Sequence, residues 1–223
     1  MLILTIDTCT DISTLGLIRD GVLLAETAFP SRHTLAQRLL LRLEWLLSEC
    51  GLTKQALSAV AVSSGPGSFT GVRIGAAVAK TLAWGAGIPL VGIPTLTALA
   101  YPFRELKTDL LVPVINARRQ QVYLTLFRGE GHALRHVVPE QALSVEPFAD
   151  LLRQHAAGGR VVLIGQTDGL SAGFLTVPDL PSAVVHSQVT PHALALLAQE
   201  RLQNNEQDDP MTFAPIYLRS AAD

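Results

Sequence analysis

Between Leu57 and Lys80 the chain reads as a buried strand, a glycine turn and a helix with almost no polar face. The turn holds Gly65, Pro66 and Gly67, and Gly71 follows inside the helix. Glycine places no Cβ in the way, so backbone here can approach other backbone or a ligand closely. Pro66 fixes one φ angle and stiffens the same turn. At about 100° per residue, Gly71, Val72, Gly75, Ala76, Ala79, Leu82 and Ala83 fill one broad helix face. Ile74 and Val78 lie beside it, leaving Arg73 and Lys80 as a narrow charged strip. Such a helix is buried on more than one side. A sheet covers one side, and the other calls for a partner from this chain or another.

The turn does not match three common catalytic loops. A dinucleotide fingerprint needs G-x-G-x-x-G, whereas Gly65, Gly67 and Gly71 are spaced one residue too far, and no acid ends the next strand at Val91-Gly92. A phosphate-binding P-loop needs glycine before its lysine, and Ala79 precedes Lys80-Thr81. A nucleophile elbow needs glycines two before and two after serine, but Pro66 and Thr70 flank Ser68. The loop therefore reads as a rigid strand-to-helix joint. Free N–H groups at the helix start remain a weaker option for meeting a phosphate.

Strands are expected at Leu2–Asp7, Ser13–Arg19 and Val22–Phe29, the last two joined by the hairpin signal Asp20-Gly21. A helix follows from Leu35 to Cys50, with Leu35, Leu39, Leu43, Leu46 and Cys50 inward, widened by Leu40 and Leu47. Leu41 and Trp45 are i, i+4 neighbours on its otherwise polar side. After the glycine turn and its helix come a short strand at Pro89–Ile93 and a helix from Thr95. The second half repeats the order: strands from Leu110, Gln121 and His132, a helix over Val145–His155, a strand to Gly165, and a helix after Thr190-Pro191. The expectation is an α/β chain of two lobes built from a duplicated β-β-β-α-β-α unit, residues 1–106 and 107–223, the second smaller. This is the actin-like ATPase (ASKHA, ribonuclease H-like) order, which fixes no activity by itself.

A formal charge of −2 gives no footprint for holding nucleic acid unaided. The two cysteines, Cys9 and Cys50, lack metal-ligand spacing and read as reduced residues of a cytoplasmic protein. Six scattered histidines form no metal motif. The uncharged run Thr81–Phe103 is cut by glycines and prolines, which argues against a membrane span. Asp7-Thr8-Cys9-Thr10 could hold a phosphate or hydrated Mg²⁺, so Asp7 and Thr8 are weak cofactor candidates, although Asp also commonly closes such turns. The second hairpin offers Asn116-Ala-Arg-Arg119, without the carboxylate and glycines that ATP hydrolysis requires.

Leu2-Ile-Leu-Thr-Ile-Asp-Thr8, Arg32-His-Thr34, Ser64 to Gly75 with Ala79-Lys80, Asn116-Ala-Arg118 with Val122-Tyr123, and Pro215 to Arg219 together resemble the TsaB (YeaZ-like) family. The resemblance spans essentially the whole chain. It implies a non-catalytic accessory subunit for threonylcarbamoyl transfer to adenosine beside the anticodon of tRNA. Such a subunit binds and activates a TsaD-like catalytic subunit, together with a TsaE-like ATPase, and meets tRNA through that complex. It also implies a homodimer when alone, no cofactor bound alone, and ATP or ADP at the interface of the assembled complex. The catalytic paralogue carries an H-x-x-x-H metal pair; here His33 is followed by Gln37, which breaks it. Thr34, Asn116 and Gln121 stand where the family usually has serine, aspartate and glutamate. The family pairs through its first two helices, which carries over to Leu41 and Trp45 with Gly71, Val72, Gly75 and Ala79. The rival readings are a metallopeptidase and a small-molecule kinase of the same fold.

Overall fold

Two five-stranded mixed sheets share one strand order. The computed structural model describes residues 1–31, 34–107, 109–167 and 169–218. The first sheet contains β1 (Leu2–Asp7), β2 (Ile12–Arg19), β3 (Val22–Pro30), β4 (Ala59–Gly65) and β5 (Leu90–Pro94), in the order β3-β2-β1-β4-β5. The second contains β6 (Leu110–Arg118), β7 (Gln121–Gly129), β8 (Leu134–Leu143), β9 (Val161–Gly165) and β10 (Ser182–His186), in the order β8-β7-β6-β9-β10. The β1–β2 and β6–β7 pairs are antiparallel, whereas β1–β4 and β6–β9 are parallel. Duplication is therefore present in topology where sequence identity between the halves is not apparent.

Local chemistry sets the joints. Asp20 and Gly21 both have positive φ, as a two-residue hairpin between right-twisted strands requires. The helices are α1 (Leu35–Glu49), α2 (Phe69–Ala86), α3 (Thr95–Ala100), α4 (Val145–His155), α5 (Ala172–Leu175) and α6 (Pro191–Gln203). Gly87, at φ 64°, ends α2 and returns its N–H to the Ala83 and Trp84 carbonyls. Thr190 caps α6 by accepting the Ala193 N–H at 3.2 Å, and Pro191 occupies the first turn.

The chain divides into one unit of Met1–Ala98 with Val189–Tyr217 and a second centred on Leu99–Gln188. In the first unit, Leu2, Leu4 and Ile6 of β1 form a core with Leu39, Leu43 and Leu46 of α1 and Ala79 and Ala83 of α2. Full burial of each such leucine stabilises by roughly 1.5–3 kcal/mol. The sheet also packs against α6, where a Cβ on Gly16 of β2 would overlap Pro191. In the second unit Phe148 and Leu152 of α4 join Val112, Val114, Leu124 and Leu163.

Three expectations need correcting. The sequence order puts the final helix in a C-terminal lobe beginning at residue 107, whereas α6 packs on β1, β2, β4 and β5 of the first sheet. The division itself falls at Ala98–Leu99, inside α3. Leu40, which the periodicity adds to the inner stripe of α1, is 48% exposed.

After α6 the chain returns along the first sheet. The Gly92 N–H donates to Asp208 Oδ2 at 2.8 Å, and a guanidinium nitrogen of Arg201 donates to the Gly92 carbonyl at 2.7 Å. The Ile216 N–H then donates to the Ser64 carbonyl at 2.7 Å. The two charges of α2 serve this segment: Lys80 Nζ donates to the Phe213 carbonyl at 2.8 Å, and Arg73 Nε to the Tyr217 hydroxyl at 3.0 Å. The narrow charged strip thus anchors the chain's own C-terminal segment.

Candidate functional site

Two surfaces bear on function in the first unit: the turn between β1 and β2, and the outer side of α1 and α2. At the turn, Asp7 is fully buried and Thr8 nearly so. The Cys9 N–H donates to Asp7 Oδ1 at 3.2 Å, and the Thr10 hydroxyl lies 3.2 Å from Asp7 Oδ2. Burial pushes the Asp7 carboxyl above its ordinary value, against the stabilising effect of these donors. The Ser63 hydroxyl sits beside it, outside hydrogen-bond geometry. Burial, with Asp7 nearby, also pushes the Cys9 thiol well up, and its Sγ lies 3.4 Å from the Ser63 carbonyl.

This turn fills the start of α2. The Ser68 N–H donates to the Cys9 carbonyl at 2.7 Å, and the Gly71 N–H to Ser68 Oγ at 3.3 Å. Thr8 Oγ1 donates to the Gly71 carbonyl at 2.7 Å. A Cβ on Gly67 would overlap the Cys9 carbonyl, one on Gly71 the Thr8 carbonyl, and one on Gly75 Thr8 Oγ1. The glycines therefore admit the protein's own β1–β2 turn. Asp7 and Thr8, the cofactor candidates of the sequence, direct their polar atoms into this knot.

The same contacts correct the interface expectation for Gly71, Val72, Gly75 and Ala79. All four are buried within their own unit, so the small-residue stripe is not a free surface. Leu41 and Trp45 do lie outward, at 66% and 46% exposure. Trp84 of α2 is 68% exposed, and with Ala77 and Thr81 it marks the outer line of that helix. Sequence reasoning missed Trp84 as a site residue, although the i, i+4, i+7 spacing of Ala77, Thr81 and Trp84 identifies the line. Because α1 and α2 touch each other on one side of the sheet, Leu40, Leu41, Trp45 and Trp84 give adjoining helices an apolar exterior. His33, whose pairing with residue 37 bears on the metal question, lies outside the described residues.

In the second unit the β6–β7 turn runs through Arg118, Arg119 and Gln120, all at positive φ and all exposed. Asn116 Oδ1 accepts the Arg118 N–H at 2.8 Å, so this side chain does the turn-closing work for which aspartate is the usual residue. No described helix is long and apolar enough to cross a membrane.

A family model described as "TsaD: tRNA N6-adenosine threonylcarbamoyltransferase" matches residues 30–166. The tRNA threonylcarbamoyladenosine biosynthesis protein TsaB of Bacillus subtilis is 32% identical over 226 residues, covering 99% of this chain and 95% of that protein. A crystal structure of an uncharacterized Pseudomonas aeruginosa protein with similarity to peptidase YEAZ aligns with a TM-score of 0.82 at 29% identity, over 98% of this chain and 99% of that one. A putative N-acetylmannosamine kinase from Listeria monocytogenes aligns at a TM-score of 0.50 and 10% identity, over 92% of this chain and 100% of that one. At that identity the likeness shows the fold alone, which is the expected two-lobed actin-like α/β fold.

Proposed function

Because this chain belongs to the TsaB family of tRNA threonylcarbamoyladenosine biosynthesis proteins, we propose that it acts there as a non-catalytic scaffold. In this reading it binds and activates a TsaD-like subunit, which transfers the threonylcarbamoyl group to adenosine beside the tRNA anticodon. The observation that carries the reading is the apolar exterior of α1 and α2, with Leu41, Trp45 and Trp84 each about half exposed or more. Large apolar side chains exposed on two adjoining helices are what an interaction surface supplies. The TsaD family match begins at residue 30 and includes both helices, so a partner of that fold offers an equivalent pair. Two like surfaces pair about a pseudo-two-fold axis, and the same geometry gives a homodimer when the partner is absent. A TsaE-like ATPase, and ATP or ADP at the interface, complete the assembly in this reading.

Lack of chemistry by this chain alone is supported by the closed turn. The helix N-terminus meets the Cys9 carbonyl, and Asp7 is buried. The test is reconstitution with a TsaD-like protein, a TsaE-like ATPase, an activated threonylcarbamoyl donor and unmodified tRNA. Modification should require this chain and be undetectable with this chain alone. Equal modification without it, or transfer by it alone, contradicts the proposal.

A further inference from the structure

β8 is an edge strand of the second sheet, and its register on β7 slips twice between His136 and Gln141. Leu126 and Phe127 are consecutive on β7, whereas their partners Val138 and His136 leave Val137 over. Between the Leu126–Val138 and Leu124–Gln141 pairs, Pro139 and Glu140 together oppose Thr125 alone. Such bulges bend a strand and re-aim its side chains. The Thr125 hydroxyl holds the second bulge by donating to the Val138 carbonyl at 2.6 Å. The bulged stretch, His136 to Glu140, lines an open groove of about 550 Å³.

The lining defines the chemistry of the occupant. Val137, Val138 and Pro139 give apolar walls, flanked by His136, whose ring lies 4.3 Å from that of Phe127. Glu140 is the only acid at the groove among the described residues. Its Oε1 is buried without a hydrogen-bond partner, and it has no ion pair, unlike Asp109, Glu130, Asp150 and Glu206. Burial pushes this carboxyl up to about 7. A cation complements such an uncompensated carboxylate and restores its charged form. The bulges and Pro139 blunt the strand edge against pairing with another strand, so the groove suits an inserted side chain. With one oxygen sealed off, the carboxylate offers no fork to a guanidinium, whereas an ammonium on an apolar stem needs a single acceptor. A polyamine would leave its further charges without acceptors.

We propose that this groove docks a lysine side chain of a partner protein, its stem along Val137, Val138 and Pro139 and its ammonium on the Glu140 carboxylate. Binding is then coupled to pH. Above about 7 the carboxylate is charged and ready, and below it a proton competes with the ammonium. His136 is the other titratable group at the groove, and a proton gained there repels the same ammonium. β7 sets only the uncharged Thr125, Leu126 and Phe127 against this stretch, and α4 keeps Glu146, Asp150 and Arg153 on its exposed side. The groove shares no residue with α1 or α2, so it stands or falls apart from the scaffold reading.

The probe is Nα-acetyl-lysine N-methylamide, titrated into the full-length chain isotopically labelled at its glutamate carboxyl carbons. NMR follows the carboxyl resonance that Glu140→Gln removes. Saturable binding is expected, about tenfold tighter at about pH 8 than at about pH 6, and the Glu140 titration midpoint should move down as the probe is added. His136→Gln should keep this pH dependence. Glu146→Gln, which removes the same charge elsewhere, should keep the affinity, and backbone amide shifts should show Glu140→Gln losing it by about tenfold or more. The norleucine analogue has the stem without the charge and should not saturate, and the arginine analogue should bind more weakly than lysine. Absence of a saturable shift, equal binding by Glu140→Gln or by the norleucine analogue, or a preference for spermidine over the lysine derivative overturns the proposal.

Discussion

Thr8 Oγ1 donates a 2.7 Å hydrogen bond to the Gly71 carbonyl, and a Cβ on Gly75 one turn later would overlap that same oxygen. The pair explains why the first turns of α2 carry glycine. The β1–β2 turn lies against the helix so closely that side chains there have no room. Gly75→Ala should therefore destabilise by about 1–3 kcal/mol through overpacking. Thr8→Ala should cost about 1 kcal/mol for the lost hydrogen bond. Combined, they should cost less than their sum, because removing Oγ1 makes the space that the added methyl group needs. Urea denaturation of the wild type, the two single variants and the double variant measures this coupling, and strict additivity would refute the packing account. Gly75→Leu should fail to fold, whereas the pairing role that the sequence suggests for Gly75 would have it mainly weaken association.

The contrast shows what a single sequence makes legible. Periodicity located α2 and its small, nearly all-round apolar surface, but it could not say what covers each side. That depended on Thr8 and Cys9, far earlier in the chain, and on Asp208 to Tyr217 beyond the second unit. The sequence shows Arg73 and Lys80 only as a narrow charged strip, and the structure makes that strip a strap for the C-terminal segment. β10 gave little signal, because Ser182–His186 is a short, alternately exposed strand at a sheet edge. In contrast, β1 and α4 emerged with the expected bounds, since β1 is a continuous apolar run and α4 has a clear stripe. The outward placement of Leu41 and Trp45 was readable because an apolar pair on a polar helix face is informative by itself.

The strap predicts a local effect. Lys80→Met removes the donors to the Phe213 and Met211 carbonyls while keeping most of the side chain's apolar stem. Stability should fall by about 1–2 kcal/mol. Limited proteolysis should cut near residues 209–217 faster than in the wild type. Unchanged cleavage would show that the strap is held without Lys80.

Glu140 on β8 gives a pH prediction. Burial pushes its carboxyl up to about 7, and Oε1 has no hydrogen-bond partner. In the unfolded chain the group titrates near 4.5. As pH rises from there to about 7, the unfolded state releases this proton first, so stability declines across that window. Glu140→Gln should be more stable than the wild type at about pH 8 by about 1 kcal/mol, allowing for solvent screening of a partly exposed group. The two should match at about pH 4, where both states of the wild type hold the proton. Thermal melts across this range check both statements.

The central claim is that the exterior of α1 and α2 docks a TsaD-like partner. Its most direct test is light scattering after size exclusion on mixtures of that partner with Trp45→Glu/Trp84→Glu. Both side chains are exposed, so the melting temperature should stay within a few degrees of wild type. Complex formation should fall by more than about a hundredfold, as expected when two aromatic anchors of an interface are replaced by charges. Leu23→Glu, at an exposed apolar position on β3, should leave it unchanged. A folded Trp45→Glu/Trp84→Glu protein that still pairs with wild-type affinity would contradict the account.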